Sequence, residues 1–258
     1  MKIGLIGKGA IARYVLSAID GRGHEIGAIL LRPERIAPDA DLEVGSVDAL
    51  PSDLDLIIDC AGHRALATYG PRILARGMDM ITVSLGALAD PCTEVALTQA
   101  ARDGDARLHL ASGAIGALDC LSAARIGTLT SVTYTGRKPP QGWKGSPAGR
   151  KLDLDALPEG EHVHFAGSAR AAALDYPKNA NVAAAVALAG LGFDKTQVQL
   201  IADATITRNI HEVTATGDFG RFHFRISGSS LPGNPRSSAL AAMSVLSKLD
   251  RITRRISL

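Results

Sequence analysis

Lys2-Ile3-Gly4-Leu5-Ile6-Gly7-Lys8-Gly9-Ala10-Ile11-Ala12 opens the chain and decides its fold. An aliphatic run ends at Gly7, and a helical pattern over residues 11–19 starts at once behind it. Gly7-Lys8-Gly9-Ala10-Ile11-Ala12 fits Gly-x-Gly-x-x-Gly/Ala at the one place where that form has a mechanism, between a first strand and a first helix. Gly7 permits the tight turn, Gly9 lets backbone approach a pyrophosphate, and Ala12 allows close helix–strand packing. Free N–H groups at the helix start, around Ala10 and Ile11, suit phosphate. Outward from this unit the β-α alternation continues. Strands are predicted over residues 25–31, 54–59, 79–84 and 107–110, with helices over 69–76 and 93–102. That series reads as a Rossmann-type, doubly wound parallel sheet over residues 1–110.

Beyond residue 111 the pattern changes. Residues 116–126 read as a helix and 131–137 as a strand; 137–150 hold three prolines and three glycines and read as a loop. Residues 162–167 alternate, and 179–191 form an alanine-rich helix. Alternating runs at 197–202, 210–216 and 221–227, with Gly217-Asp218 between the last two, predict an antiparallel meander. After Pro235 an amphipathic helix is predicted over 237–249. The expected architecture is α/β: a nucleotide domain, an α+β domain on a mostly antiparallel sheet over 111–235, and a C-terminal segment, 236–258, returning to the first domain.

Composition excludes several function classes. Of 258 residues, 46% are hydrophobic and only 4% aromatic, so the core is built from small aliphatic side chains. Twenty-eight basic against 26 acidic residues leave +2, too little for a nucleic-acid or membrane surface. The longest apolar stretch, residues 182–191, is about half of the roughly 20 residues a membrane span needs. Cys60, Cys92 and Cys120 are scattered and odd in number, which points to a reducing cytoplasm and to neither disulfides nor zinc. His162-x-His164 is too sparse for a metal signature, and no Gly-x-Ser-x-Gly elbow occurs. No metal is expected.

The second strand is where an acid would accept the adenosine ribose hydroxyls. The chain has Leu31-Arg32-Pro33-Glu34-Arg35 instead. Arginine there suits a 2′-phosphate, and Lys8 adds charge, so the expectation is NAD or NADP with a lean to NADP or dual use. Arg32 and Arg35 read equally well as solvated loop residues, and Glu34 as a shifted ribose acceptor. Cys60-Ala61-Gly62-His63 follows a strand C-terminus, where ligands bind in open α/β sheets. Cys60, Ala61 and His63 are therefore placed at the cofactor.

Ser84-Leu85-Gly86-Ala87-Leu88, Ser112-Gly113-Ala114-Ile115-Gly116 and Asn209-Ile210-His211-Glu212 resemble the L-aspartate dehydrogenase family. Blocks at Tyr134–Pro140, Pro177–Ala183 and Asp218–Phe222 extend the resemblance along nearly the whole chain. It implies oxidation of L-aspartate by NAD or NADP to iminoaspartate, which yields oxaloacetate and ammonia or feeds NAD biosynthesis, and a homodimer. It makes His211 the active-site histidine and places Ala114 and Asn181 at the dinucleotide. The chain departs from the family where Lys8 replaces a frequent cysteine, Leu31-Arg32 a frequent Asp-Arg, and Ala117 a frequent glycine. A homoserine dehydrogenase or dihydrodipicolinate reductase type of enzyme shares the architecture, and a non-catalytic NADP-binding sensor is the reading from another class.

Amine oxidation and imine hydrolysis both move protons near neutrality, which suits a histidine. The residues alone do not choose among His24, His63, His109, His162, His164, His211 and His223; the resemblance selects His211. His162 and His164 read as paired surface histidines on one strand face. A substrate with two carboxylates needs cations or N–H donors. Lys138 and Lys178 are the favoured side chains, with Arg137, Lys144 and Arg170 as others. Ser112 is expected to offer backbone donors at a helix N-terminus. Trp143 closes the proline-rich loop or anchors it.

Overall fold

The computed structural model describes residues 1–232 and 234–256, without the side chains at 235 and 236. The chain divides into two compact units: residues 1–87, 91–111 and 241–258, and residues 88–90 and 112–240.

In the first unit the elements run β1 (Lys2–Ile6), α1 (Ala10–Ile19), β2 (Glu25–Leu30), β3 (Glu43–Val44), β4 (Leu56–Asp59), α2 (His63–Leu74), β5 (Asp79–Thr82), α3 (Pro91–Asp103) and β6 (Leu108–Leu110). The six strands form one parallel sheet in the order β3-β2-β1-β4-β5-β6. The order reverses between β1 and β4, so the C-terminal ends of these two strands flank the crevice where such sheets bind ligands. Ile3, Leu5, Leu56, Ile58 and Ile81 have no solvent exposure, as continuous aliphatic strands covered on both faces require. Two elements differ from expectation. The helix predicted at 69–76 begins at His63 and contains Pro71. Pro71 sits in the last turns of a helix already formed, where its missing N–H and fixed φ are tolerated. The two-residue strand β3 carries too little pattern to be seen in sequence.

The second unit contains α4 (Leu118–Ala124), β7 (Leu129–Lys138), β8 (Glu161–Ser168), α5 (Ala169–Asp175), α6 (Asn181–Ala189), α7 (Gly192–Lys195), β9 (Gln197–Asp203), β10 (Asn209–Gly217), β11 (Gly220–Gly228), β12 (Ser230–Leu231) and β13 (Asn234–Ser238). Its five-stranded sheet has the order β11-β10-β7-β9-β8. All pairs are antiparallel except β7–β9. The predicted meander is half right: β10 and β11 form the hairpin, but β9 pairs with β7 and β8. Residues 182–187 of α6 are buried all round, the environment an alanine-rich helix without a polar face demands.

The last helix, α8, runs Ala239–Thr253, two residues later than its pattern suggested, because 237 and 238 belong to β13. Its Val245, Leu246 and Leu249 join one core with Ile3, Leu5, Val15 and Ile19 of the first unit. At about 1.5–3 kcal/mol for each buried aliphatic side chain, this contact contributes substantially to that unit. Positions 257 and 258 of the expected 236–258 segment lie outside the described residues.

Ala117 caps α4 in the left-handed region, at φ 60° and ψ 11°. The resemblance leads one to expect glycine at this position, and the geometry supplies a reason: a Cβ is strained there. An Ala117→Gly variant is expected to gain about 0.5–1 kcal/mol, measured as a higher midpoint of chemical unfolding. An unchanged or lower midpoint would remove the assignment of strain.

Candidate active site

The glycine-rich turn forms one wall of a cavity of about 650 Å³ in the first unit. Gly7 has φ +94°, and a Cβ on it would lie 3.0 Å from the Cβ of Ala61, so the turn admits only glycine. Gly9 is different. A Cβ there would meet nothing nearer than the Cys60 carbonyl at 4.0 Å, so the protein leaves this side of the cradle open. Gly9 also caps α1 without a side-chain hydrogen bond, leaving first-turn N–H groups for an anion. These features fit a dinucleotide pyrophosphate.

Gly7, Lys8, Gly9, Arg32, Cys60 and Ala61 all line this cavity. Ala10 and Ile11 contribute the helix start behind it. His63 opens α2 and does not line the cavity; its charge bears on Asp59. Arg35, Arg64, Thr68 and Tyr69 line it as well. Arg64 and Thr68 lie in the turns of α2 that precede the pattern beginning at Tyr69, so residue spacing does not mark them. Lys8 forms an ion pair with the buried carboxylate of Glu43 on β3, which offsets much of the charge expected from it.

Asp59, at the end of β4, organises the neighbouring strand ends. It is wholly buried. Its Oδ1 accepts from the Ala61 N–H at 2.9 Å, and its Oδ2 from the hydroxyls of Thr82 at 2.8 Å and Ser84 at 2.7 Å. Burial raises its pKa, while these three donors act in the opposite sense. The turn carrying Cys60 and Ala61 is thereby tied to β5. Burial pushes the Cys60 thiol up, so it stays protonated.

In the second unit β7 and β10 bring Lys138 and His211 together. Side chains alternate along β7, so Tyr134, Gly136 and Lys138 share one face. His211 on β10 lies opposite Gly136. His211 is 5% exposed, and its Nδ1 lies 2.8 Å from the Tyr134 hydroxyl. Burial, with the Lys138 charge as a smaller cause, lowers the His211 pKa to about 4. Lys138 Nζ donates to Asn179 Oδ1 at 2.7 Å and sits 4.9 Å from the centre of the Trp143 ring. Burial lowers its pKa to about 8. Trp143 is fully buried and donates from Nε1 to the Ile201 carbonyl at 2.9 Å, so it anchors its loop.

Several expectations are corrected here. His164 is not a surface partner of His162: the register shifts between Val163 and Phe165, which turns His164 inward. There it packs edge-on to Trp143 at 4.3 Å and meets the Tyr176 hydroxyl at 3.2 Å. Ser112 is not at a helix N-terminus, because α4 starts at Leu118. Arg170 lies inside α5 and holds Asp194 through two hydrogen bonds, at 2.6 and 2.9 Å. Arg137 is engaged by Glu212 at 3.0 Å and by Glu161. Lys178 is exposed, Ala114 is buried in a turn, and Asn181 opens α6. Tyr134, Gly136 and Asn179 are the neighbours of His211 and Lys138 that residue spacing did not single out. Period-two spacing back from Lys138 is the signal that reaches the first two.

Among the described residues, no three His, Cys, Asp or Glu side chains gather to hold a metal ion, and no helix is long and apolar enough to cross a membrane.

Comparison with known proteins gives a consistent picture. The family model described as aspartate dehydrogenase, C-terminal, matches residues 119–252, and the homoserine dehydrogenase NAD binding domain matches 7–111. The chain is 54% identical to an L-aspartate dehydrogenase of Ruegeria pomeroyi over 96% of its length and 91% of the relative's. It is 46% identical to one from a Polaromonas species, over 96% of both. The crystal structure of aspartate dehydrogenase from Thermotoga maritima superposes with a TM-score of 0.80, at 27% identity, covering 100% of this chain and 99% of that one.

Proposed function

The chain belongs to the aspartate dehydrogenase family, and from that premise we propose how its residues divide the work of oxidising L-aspartate with NAD or NADP. The observation that carries the reading is the buried His211, held at Nδ1 by Tyr134, with the Lys138 ammonium near enough to bear on its titration. When bound, a nicotinamide would supply the acceptor for the hydride that leaves the substrate Cα. The substrate ammonium must also lose a proton, and His211 Nε2 is the group assigned to take it. Above about pH 4 the imidazole is neutral and able to do so. Substrate carboxylates brought near it raise its basicity further. Once Nε2 has released that proton to solvent, the same nitrogen serves the hydrolysis of iminoaspartate: it takes a proton from the attacking water and returns it to the carbinolamine nitrogen, so that ammonia leaves. Lys138 is assigned to a substrate carboxylate as a point charge, oriented by Asn179 and by the Trp143 face. The assay is absorbance of the reduced nicotinamide, with L-aspartate in one direction and oxaloacetate plus ammonium in the other. Absence of turnover in both would leave the sensor reading.

We also assign the cofactor preference to NADP, or to dual use. Arg32, Arg35 and Arg64 line the cavity, and no acidic residue among its lining is present to accept ribose hydroxyls. An Arg32→Ser/Arg35→Ser enzyme is expected to raise KM for NADP by about tenfold and to leave KM for NAD within about twofold. A strong preference of the unaltered enzyme for NAD would overturn this. Three free cysteines support a reducing cytoplasm. A homodimer is the assembly assigned from the resemblance, and light scattering on the purified chain tests it.

A further inference from the structure

Two features of the His211 site have a consequence for its tautomer: the Tyr134 hydroxyl at Nδ1 and the absent side chain at Gly136. The Tyr134 ring folds back over Gly136. A Cβ at Gly136 would fall 2.6 Å from Tyr134 Oη, 3.1 Å from its Cζ and 3.3 Å from Leu200 Cδ2. The hydroxyl therefore occupies the space that any other residue at 136 would fill, and from there it reaches His211 Nδ1 at 2.8 Å. The two rings stack at 18° with centroids 6.1 Å apart, and both residues are at most 5% exposed. Gly136 and His211 face each other across the β7–β10 ladder, so one missing side chain serves both the tyrosine and the histidine.

We infer that Tyr134 is the positioning residue of His211 and that Gly136 is glycine to admit its hydroxyl: the phenol oxygen accepts from Nδ1–H and leaves Nε2 as the bare nitrogen. The inference rests on the reading of His211 as the acid–base group for its catalytic meaning, but not for its geometry. Burial pushes the phenol pKa up, so Tyr134 stays neutral throughout the working range. A carboxylate in its place would also orient the ring, but its charge would hold the imidazolium. A neutral phenol fixes the ring direction without that charge, and with its own proton turned away from the imidazole its oxygen holds Nδ1–H. It also remains an acceptor when His211 takes up a proton, because Nδ1–H is present in both states. Lys138, also on β7, faces His211, whereas Arg137 and Glu212 are paired with one another on the opposite face of the sheet.

The test is two-bond ¹H–¹⁵N correlation on the full chain with labelled histidine, combined with steady-state kinetics. His211 is expected to show a protonated Nδ1 and a bare Nε2. Tyr134→Phe should give a mixture of tautomers, lower kcat by about tenfold or more, and leave KM for NAD(P) within about twofold. Gly136→Ala keeps the phenol but displaces it, and should shift the tautomer and kcat in the same direction. The double variant should lose less than the two single effects combined, because the Ala Cβ meets first the hydroxyl that Phe lacks. A bare Nδ1 in the unaltered protein, or an unchanged tautomer and kcat in Tyr134→Phe, would overturn the inference. If the tautomer is as expected but His211→Ala keeps its turnover, the positioning role stands and the catalytic reading of His211 fails.

Discussion

His211→Ala is expected to lose L-aspartate-dependent reduction of NAD(P) by about 10²–10³-fold, the usual contribution of a positioned acid–base side chain. Binding of the dinucleotide, read by quenching or by calorimetry, should be unchanged, because the cradle is built from Gly7, Gly9, Cys60 and Ala61 in the first unit. The substitution empties a buried site and strands the Tyr134 hydroxyl, so thermal unfolding should show a loss of about 2 kcal/mol. That loss is too small to mimic inactivation at room temperature in a folded domain. Near-normal turnover in the folded variant would refute the assignment. The unaltered enzyme carries a pH signature of the same group. His211 and His164 are both lowered from 6.5 to about 4, chiefly by burial. Between those values the unfolded chain binds protons that the native state refuses. Stability contributed by these groups is therefore present above pH 6.5 and withdrawn as pH falls towards 4. The acid limb of kcat/KM should lie at the low end of that window.

The second large effect belongs to Lys138. Lys138→Met is expected to raise KM for aspartate by about tenfold or more while KM for NAD(P) stays within about twofold, since only carboxylate binding loses its charge. Its pKa of about 8 gives the unaltered enzyme an alkaline limb. The ammonium is present below pH 8 and is lost as pH rises through it, so kcat/KM for aspartate should fall there. The bound carboxylate favours the charged form, so kcat should hold to higher pH. Asn179→Ala removes the acceptor of the Lys138 hydrogen bond and should weaken aspartate in the same direction, by less. A Lys138→Met enzyme with unchanged KM for aspartate would assign the carboxylates to other residues.

The nucleotide unit was legible because its signals are local. Strand, Gly7-x-Gly9 and helix are consecutive in sequence, and aliphatic runs of four to six residues suffice to mark strands buried on both faces. The error there was also local: the helical pattern was read from Tyr69, six residues after α2 begins, and Arg64 and Thr68 lie in the turns before it. The second unit was less legible. Its sheet mixes parallel and antiparallel pairs, and alternation reports that a residue is on a strand without saying which strand lies beside it. That is why β9 was expected beside β10, and why the bulge that turns His164 inward left no trace in the pattern.

By itself, the sequence determined the α/β class, the dinucleotide turn and, through matching blocks, the family. Each depends on neighbours along the chain. Only the tertiary structure decided what surrounds His211. Tyr134 is 77 residues away in sequence, and Asn179 lies 41 residues from Lys138. It also decided that Lys8 is held by Glu43, that Arg137 and Arg170 are occupied by carboxylates, and that Ala117 carries a left-handed backbone. The physical reason is the same in each case. A side chain's charge, basicity and freedom are set by what packs against it. Packing between distant segments follows from strand order and register, which residue spacing does not encode.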